Sequence, residues 1–167
     1  HILNTSGISN YPKAQYDMVR LGIGLYGISN DAVEQKYLEN VSTLKSVISQ
    51  IRTISAGDSV GYGRRFVAER TTKIATIPIG YADGLSRHWG NGVGFVMVNN
   101  QKATIVGSVC MDMLMVDVTE IPCKEGDQVI IFGKNPTVND LAKALHTIPY
   151  EILTSISQRV KRVFYRE

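Results

Sequence analysis

The stretch Gly94–Val109, "GFVMVNNQKATIVGSV", decides the fold. Two apolar runs, rich in the β-branched residues that pack well on a pleated surface, flank Asn99-Asn100. Asparagine tolerates the positive φ that a tight turn demands, so the stretch reads as a β-hairpin. Downstream, "MLMVDVTEI" and "QVIIFG" read as further strands separated by "PCKEGD". Upstream, "LKSVISQIRTI" alternates apolar and polar as half-buried strands do, "SAGDSVGYG" is a turn cluster, and "TTKIATIPIGYADG" is a strand closed by Asp-Gly. Short strands at this spacing predict an all-β barrel or sandwich.

Two short helices are predicted after these strands. "TVNDLAKALHT" places Val138, Leu141, Ala142 and Leu145 at helical spacing, and Thr137 with Asp140 has capping-box spacing. "YEILTSIS" puts Ile152, Leu153 and Ile156 on one face, and "RVKRVFYRE" reads as a final strand. Residues 1–28 have another texture: "HILN" as a strand, "TSGISNYP" as a loop, "YDMVR" as a helical turn, and "LGIGLYGI" as a glycine-interrupted strand. That pattern resembles the end of a βα repeat. The expected organisation is therefore a truncated α/β-barrel segment over 1–28, a polar linker over 29–40, and a β domain over 41–167.

Composition narrows the function classes. The 167 residues are 44% hydrophobic and 20% charged, which suits a globular domain with its own core. A net charge of +3 without a Lys/Arg run does not point to nucleic acid. Apolar runs are too short to span a membrane, and no signal-peptide pattern opens the chain. Cys110 and Cys123 form no C-x-x-C pair and read as reduced cytosolic thiols. His1, His88 and His146 are too scattered to suggest a metal site. The start at His1 is read as the edge of a fragment of something longer.

Several short stretches could carry chemistry. In "DSVGYGRRF" Tyr62 lies between two glycines, with Arg64 and Arg65 behind it. Locally it reads as a turn residue; a phenol, with a pKa of about 10, needs nearby cations to act as a base at neutral pH. "GYADGLSRHWGNG" crowds Tyr81, Asp83, Arg87, His88 and Trp89 into one loop, while its "GNG" suits a hairpin turn better than a phosphate loop. Cys110, Met111 and Asp112 sit between two strands with no histidine base placed beside the thiol; Met111 and Met113 read as packing residues and Asp112 as a turn acid. Hydroxyls of Thr5 or Ser6, with amides around Gly22, could hold an anion.

Taken together, "YDMVRLGIGLYG", "AGDSVGYGRRF", "TIPIGYADGLSR", "VGSVCMDMLMVDVT" and "TIPYEILTSISQRVKRVF" resemble the alanine racemases in order and spacing over nearly the whole chain. The resemblance implies a mainly β fold: a C-terminal β-barrel-like domain with two short helices, preceded by a remnant of a (β/α)8 barrel. It implies pyridoxal 5′-phosphate as cofactor, L- and D-alanine as substrates, peptidoglycan-precursor supply, a cytoplasmic homodimer with shared active sites, and no metal, nucleic-acid or membrane partner. Tyr62 matches the base that removes the Cα proton of L-alanine, serving the cofactor held by the other subunit. Arg20 matches the arginine facing the pyridine nitrogen. Asn4, Thr5, Gly22, Ile23 and Tyr150 match cofactor-binding positions, with Asn4-Thr5 standing where family members usually carry Asn-Ser. Met111 matches the residue whose amide meets the substrate carboxylate, and Tyr81 and Arg87 match the entry corridor. Ser108 stands where some members carry an arginine. The lysine that forms the Schiff base and the histidine that orients the tyrosine are expected outside this sequence, so these residues alone are expected neither to racemise alanine nor to bind the cofactor tightly. A related pyridoxal-phosphate-dependent decarboxylase, a nucleic-acid-binding β-barrel module and a bare dimerisation domain are the alternatives.

Overall fold

The computed structural model describes residues 1–29 and 31–165, which divide into two units, His1–Thr43 and Leu44–Glu167. In the second unit the Asn99-Asn100 hairpin forms as the sequence predicts. Strands β6 (Phe95–Val98) and β7 (Gln101–Val106) pair antiparallel, with Val98 opposite Gln101. Both asparagines take positive φ, +48° and +62°, which matches the twist that a two-residue hairpin needs. Strand β7 then changes partner: Gln101–Thr104 face β6, whereas Ile105 and Val106 face β8 (Leu114–Asp117).

The remaining strands are β1 (Leu44–Val47), β2 (Gln50–Ile54), β3 (Ser59–Val60), β4 (Phe66–Val67), β5 (Thr72–Ile77) and β9 (Gln128–Phe132). Of the nine strands among the described residues, seven form one antiparallel sheet in the order β1-β9-β6-β7-β8-β5-β2, and β3 and β4 form a separate ribbon. The sheet's two outer strands, β1 and β2, are consecutive in sequence. Between them the Ile48 amide donates to the Asp127 carbonyl at 2.9 Å, beside β9, and the Ser49 amide to the Thr76 carbonyl at 2.9 Å, on β5. One bent segment thus supplies both outer strands, β1 on β9 and β2 on β5, and the sheet curls into a half-barrel. The alternating "LKSVISQIRTI" is therefore two strands joined by the Ile48-Ser49 bend. Inside lie Ile48, Ile77, Val96, Val98, Ile105, Leu114, Val116, Val129 and Ile131, each at most 1% exposed.

Helix α2 (Val138–Ala144) begins at the predicted capping box: Thr137 Oγ1 accepts from the Asp140 amide, and the Asp140 carboxylate accepts from the Thr137 amide. Helix α3 (Pro149–Ser155) opens on proline, whose missing N–H costs nothing at that position. The closing strand is not formed. Residues 159–165 have no regular structure, because the Arg162 guanidinium takes up the carbonyls of Ile156 (2.9 Å), Ser157 and Val160 (2.7 Å). The last two positions of "RVKRVFYRE" lie outside the described residues.

The first unit departs further from expectation. "HILN" is not a strand. "TSGISN" is a helix, α1 (Thr5–Asn10), where a loop is predicted; the Asn4 side chain caps it by accepting from the Gly7 amide at 3.0 Å. "LGIGLYGI" is not a strand either. It winds into a 3-10 turn over Ile23–Tyr26 that ends on Gly27 at φ +75°, where a Cβ would lie 1.7 Å from the Glu39 carbonyl oxygen. The glycines there permit coiling, and their apolar neighbours mimic a strand. Residues 31–40 hold another 3-10 turn, Glu34–Tyr37, and Gln35 ties it back by donating to the Gly27 carbonyl and accepting from the Ser29 amide. No helix of the described residues is long and apolar enough to cross a membrane.

Leu114, opposite Ile77 at the start of β8, is fully buried. Leu114→Ala should cost about 2–5 kcal/mol in urea unfolding, whereas Asn100→Gly, which keeps the positive φ, should change stability by less than about 0.5 kcal/mol.

Candidate active site

Tyr62 stands on the turn between β3 and β4. Gly61 and Gly63 on either side of it have φ of +75° and +71°. At Gly61, with ψ −178°, only glycine is comfortable, so the turn is shaped by glycine and not merely permitted by it. A Cβ on Gly61 would meet Met115 Cε at 3.2 Å and the Ser108 amide nitrogen at 3.7 Å, and one on Gly107 would meet the Val60 carbonyl oxygen at 2.9 Å. The ribbon therefore leans closely on the Gly107–Ser108 bend. From that base the Tyr62 side chain projects outward, 77% exposed, and its hydroxyl has no hydrogen-bond partner among the described residues. Neither following arginine attends it. Arg64 Nε donates to Ser59 Oγ at 3.1 Å, and Arg65 lines a separate cleft with Lys102, Thr104 and Asp117.

The bend leads on to a second cluster. Tyr81 and Ala82 donate their amides to the carbonyls of Cys110 (3.0 Å) and Met111 (2.9 Å), which zips the Tyr81 loop to the Met111 loop. Gly80 makes this possible: a Cβ there would lie 2.3 Å from the Cys110 carbonyl oxygen. The Met111 amide finds no acceptor among the described residues, in a loop where Met111 is half exposed. Met111 and Met113 are thus exposed, not the packing residues that local reading predicts. Arg87 begins the short turn Arg87–Trp89 capped by Ser86, and its charge reaches Cys110. Burial pushes the Cys110 thiol up against that pull, which disfavours a thiolate nucleophile. Ser108 is buried.

Sequence reasoning missed the residue that binds these loops together. Arg159 Nε donates to Asp83 Oδ1 at 2.7 Å and Arg159 Nη2 to Asp112 Oδ1 at 2.6 Å. Asp83 also accepts from the Gly80 amide at 2.8 Å. Burial would raise the Asp83 pKa, but the Arg159 hydrogen bond, the Gly80 amide and the Arg159 charge together hold it below the ordinary carboxylate range. Arg159 lies far from both aspartates in sequence, so no local spacing announces the pairing.

In the first unit the predicted residues do come together. Thr5 Oγ1 accepts from the Gly22 amide at 3.1 Å and the Gly24 amide at 3.4 Å. A hydroxyl has two lone pairs and one hydrogen; both lone pairs are taken, and the hydrogen has no acceptor among the described residues. The Ile23 amide is free in the same sense. Gly22 has open space where a Cβ would stand. The Arg20 amide donates to the Leu3 carbonyl at 2.9 Å, and Arg20 Nη2 to the Ile2 carbonyl at 3.2 Å, so the guanidinium keeps most of its five N–H donors. Tyr150, in α3 of the second unit, is partly exposed and its hydroxyl is unpartnered among the described residues. Among those residues no group of His, Cys, Asp and Glu could hold a metal ion.

A sequence-family model described as the alanine racemase C-terminal domain matches residues 41–164. Alanine racemase 2 of Caldanaerobacter subterraneus subsp. tengcongensis is 45% identical over 98% of the chain, which spans 44% of that protein. The crystal structure of alanine racemase from Streptomyces lavendulae superposes with a TM-score of 0.92 at 36% identity, covering all of this chain and 46% of that one. The Bartonella henselae alanine racemase, with covalently bound pyridoxal phosphate, superposes at 0.90 and 37% identity over 98% of this chain and 46% of its own. The chain thus spans somewhat under half the length of the relatives it matches.

Two outcomes follow from the geometry. Gly61→Ala should destabilise the second unit by about 1–3 kcal/mol in urea unfolding, since it forces a side chain into glycine-only backbone space. Because the folded-state pKa of Asp83 lies below its unfolded value, its stabilisation is complete above the ordinary carboxylate range and fades as pH falls through the lowered pKa. Asp83→Asn should flatten that acid limb of the stability–pH curve while leaving its shape near neutrality unchanged.

Proposed function

The chain belongs to the alanine racemase family, and from that membership we propose that it is the C-terminal portion of an enzyme that interconverts L- and D-alanine. The observation that carries this reading is the Tyr62 turn: glycine-only backbone on a rigid barrel, presenting an unpartnered phenol outward. Racemisation removes a proton from one face of Cα and returns one on the other, so it needs two bases. Tyr62 is one, acting on L-alanine; the other is a lysine outside these residues. Since Arg64 donates to Ser59 and Arg65 lines a separate cleft, the group that activates the phenol would come from outside this unit.

The donor set of the first unit fits pyridoxal phosphate. The Thr5 hydroxyl hydrogen and the free Ile23 amide would meet the phosphate, with Gly22 giving room for close approach and Asn4 holding the helix that carries Thr5. By the family resemblance alone, Tyr150 is a further cofactor-binding residue. When bound, the cofactor supplies an electron sink for the pair left on Cα. Arg20 would face the pyridine nitrogen; a guanidinium has no acceptor, so it cannot take a proton there and keeps that nitrogen unprotonated. The Met111 amide would receive the substrate carboxylate, and Tyr81 and Arg87 would line the approach. The whole enzyme would be a cytoplasmic homodimer with shared sites, supplying D-alanine to the cell wall. The racemase relatives favour this reading over a decarboxylase or a nucleic-acid-binding module.

In the full-length protein, Tyr62→Phe should leave cofactor absorbance intact and slow exchange of the L-alanine Cα proton by about 10²–10⁴-fold. Exchange from D-alanine should survive in part through the second base. Unchanged L-alanine exchange, read by proton NMR in D2O, would remove Tyr62 from the mechanism.

A further inference from the structure

We infer that Arg159 is a positioning residue that holds the substrate-carboxylate loop in register with the corridor loop; this rests on the racemase reading above. Its guanidinium spans two acids on two loops, Asp83 beside Tyr81 and Asp112 beside Met111, at 2.7 and 2.6 Å. Asp83 is the hub of the first loop. Its carboxylate also accepts from the Gly80 amide, and its carbonyl accepts from the Ser157 amide at 2.9 Å, two residues before Arg159. Behind it, Ser155 Oγ donates to the Gly84 carbonyl at 2.9 Å, and a Cβ on Gly84 would lie 2.2 Å from the Ser155 carbonyl oxygen. The segment after α3 therefore backs the Tyr81 loop, and Arg159 reaches past it to the Met111 loop. Among the described residues, two main-chain hydrogen bonds, from Tyr81 and Ala82, otherwise join the loops. Asp112 accepts from no other donor among the described residues. The Cys110 amide closes the turn by donating to the Met113 carbonyl at 2.9 Å, and Arg159 adds the side-chain tie that fixes the Asp112 end of that turn, with the adjacent Met111 amide, against the corridor loop. A planar fork suits two acids at once; a lysine's compact charge does not.

The test uses the full-length holoenzyme. Arg159→Ala should raise KM for L-alanine about tenfold with kcat within about threefold, the signature of lost ground-state binding, at unchanged cofactor absorbance. Arg159→Lys should fall between it and the wild type, and Asp112→Asn should raise KM in the same direction. Amide exchange at Tyr81 and Ala82 should quicken in Arg159→Ala. An active Arg159→Ala enzyme with wild-type KM, or with unaltered exchange at those amides, would overturn the positioning role. A loss of kcat and cofactor together would also overturn it, in favour of general support of the fold. A wild type without racemase activity would instead overturn the functional reading and this role with it.

Discussion

The second unit depends on a single bent segment that hydrogen-bonds both edges of its own sheet. Residues 44–47 pair with β9 and 50–54 with β5, and Ile48 and Ser49 make the crossing. Had the segment run straight, one edge would have lost its partner and the interior of Val96, Ile105, Leu114 and Val129 would have stood open on one side. The curled sheet carries the loops between its strands. Turns that would be mobile on an open sheet become places where a side chain can be aimed.

What is mounted there follows one rule: backbone approaches backbone through glycine. Gly61 sets the Tyr62 turn, Gly80 lets the Tyr81 loop touch Cys110, and Gly84 lets the end of α3 back the same loop. Beside two of these approaches a donor is left without an acceptor among the described residues, the Tyr62 hydroxyl and the Met111 amide. Partly exposed ion pairs such as Arg159 with its two aspartates add little stability by themselves. Their value is geometric: Arg159 holds the Tyr81 loop and the Met111 loop in one arrangement.

Most of the barrel was legible in the sequence, since its signals are local. The Asn99-Asn100 turn, the strand alternation and the Thr137–Asp140 box each encode their own structure. The first unit was less legible. Its "LGIGLYGI" has a strand's apolar content but a coil's glycines, and α1 is a six-residue helix nucleated by one cap. Such elements take their shape from distant partners such as Glu39, which periodicity does not reveal. Of the candidate site, the residue types were visible and the arrangement was not. Tyr62 read locally as a turn residue, and only its resemblance to a family motif gave it a role. Arg159 was invisible because its partners lie across two other loops, and Met111 and Met113 read as packing when both are exposed.

The proposed role of this β domain is in a two-base exchange at Cα of alanine. The direct measurement is to incubate the full-length protein and its cofactor with L-alanine in D2O and to follow the amino acid by chiral chromatography and mass spectrometry. The account predicts D-alanine labelled at Cα, accumulating until the two enantiomers, equal in free energy, are present in equal amounts. Release of carbon dioxide, or persistence of unlabelled L-alanine alone, would contradict it.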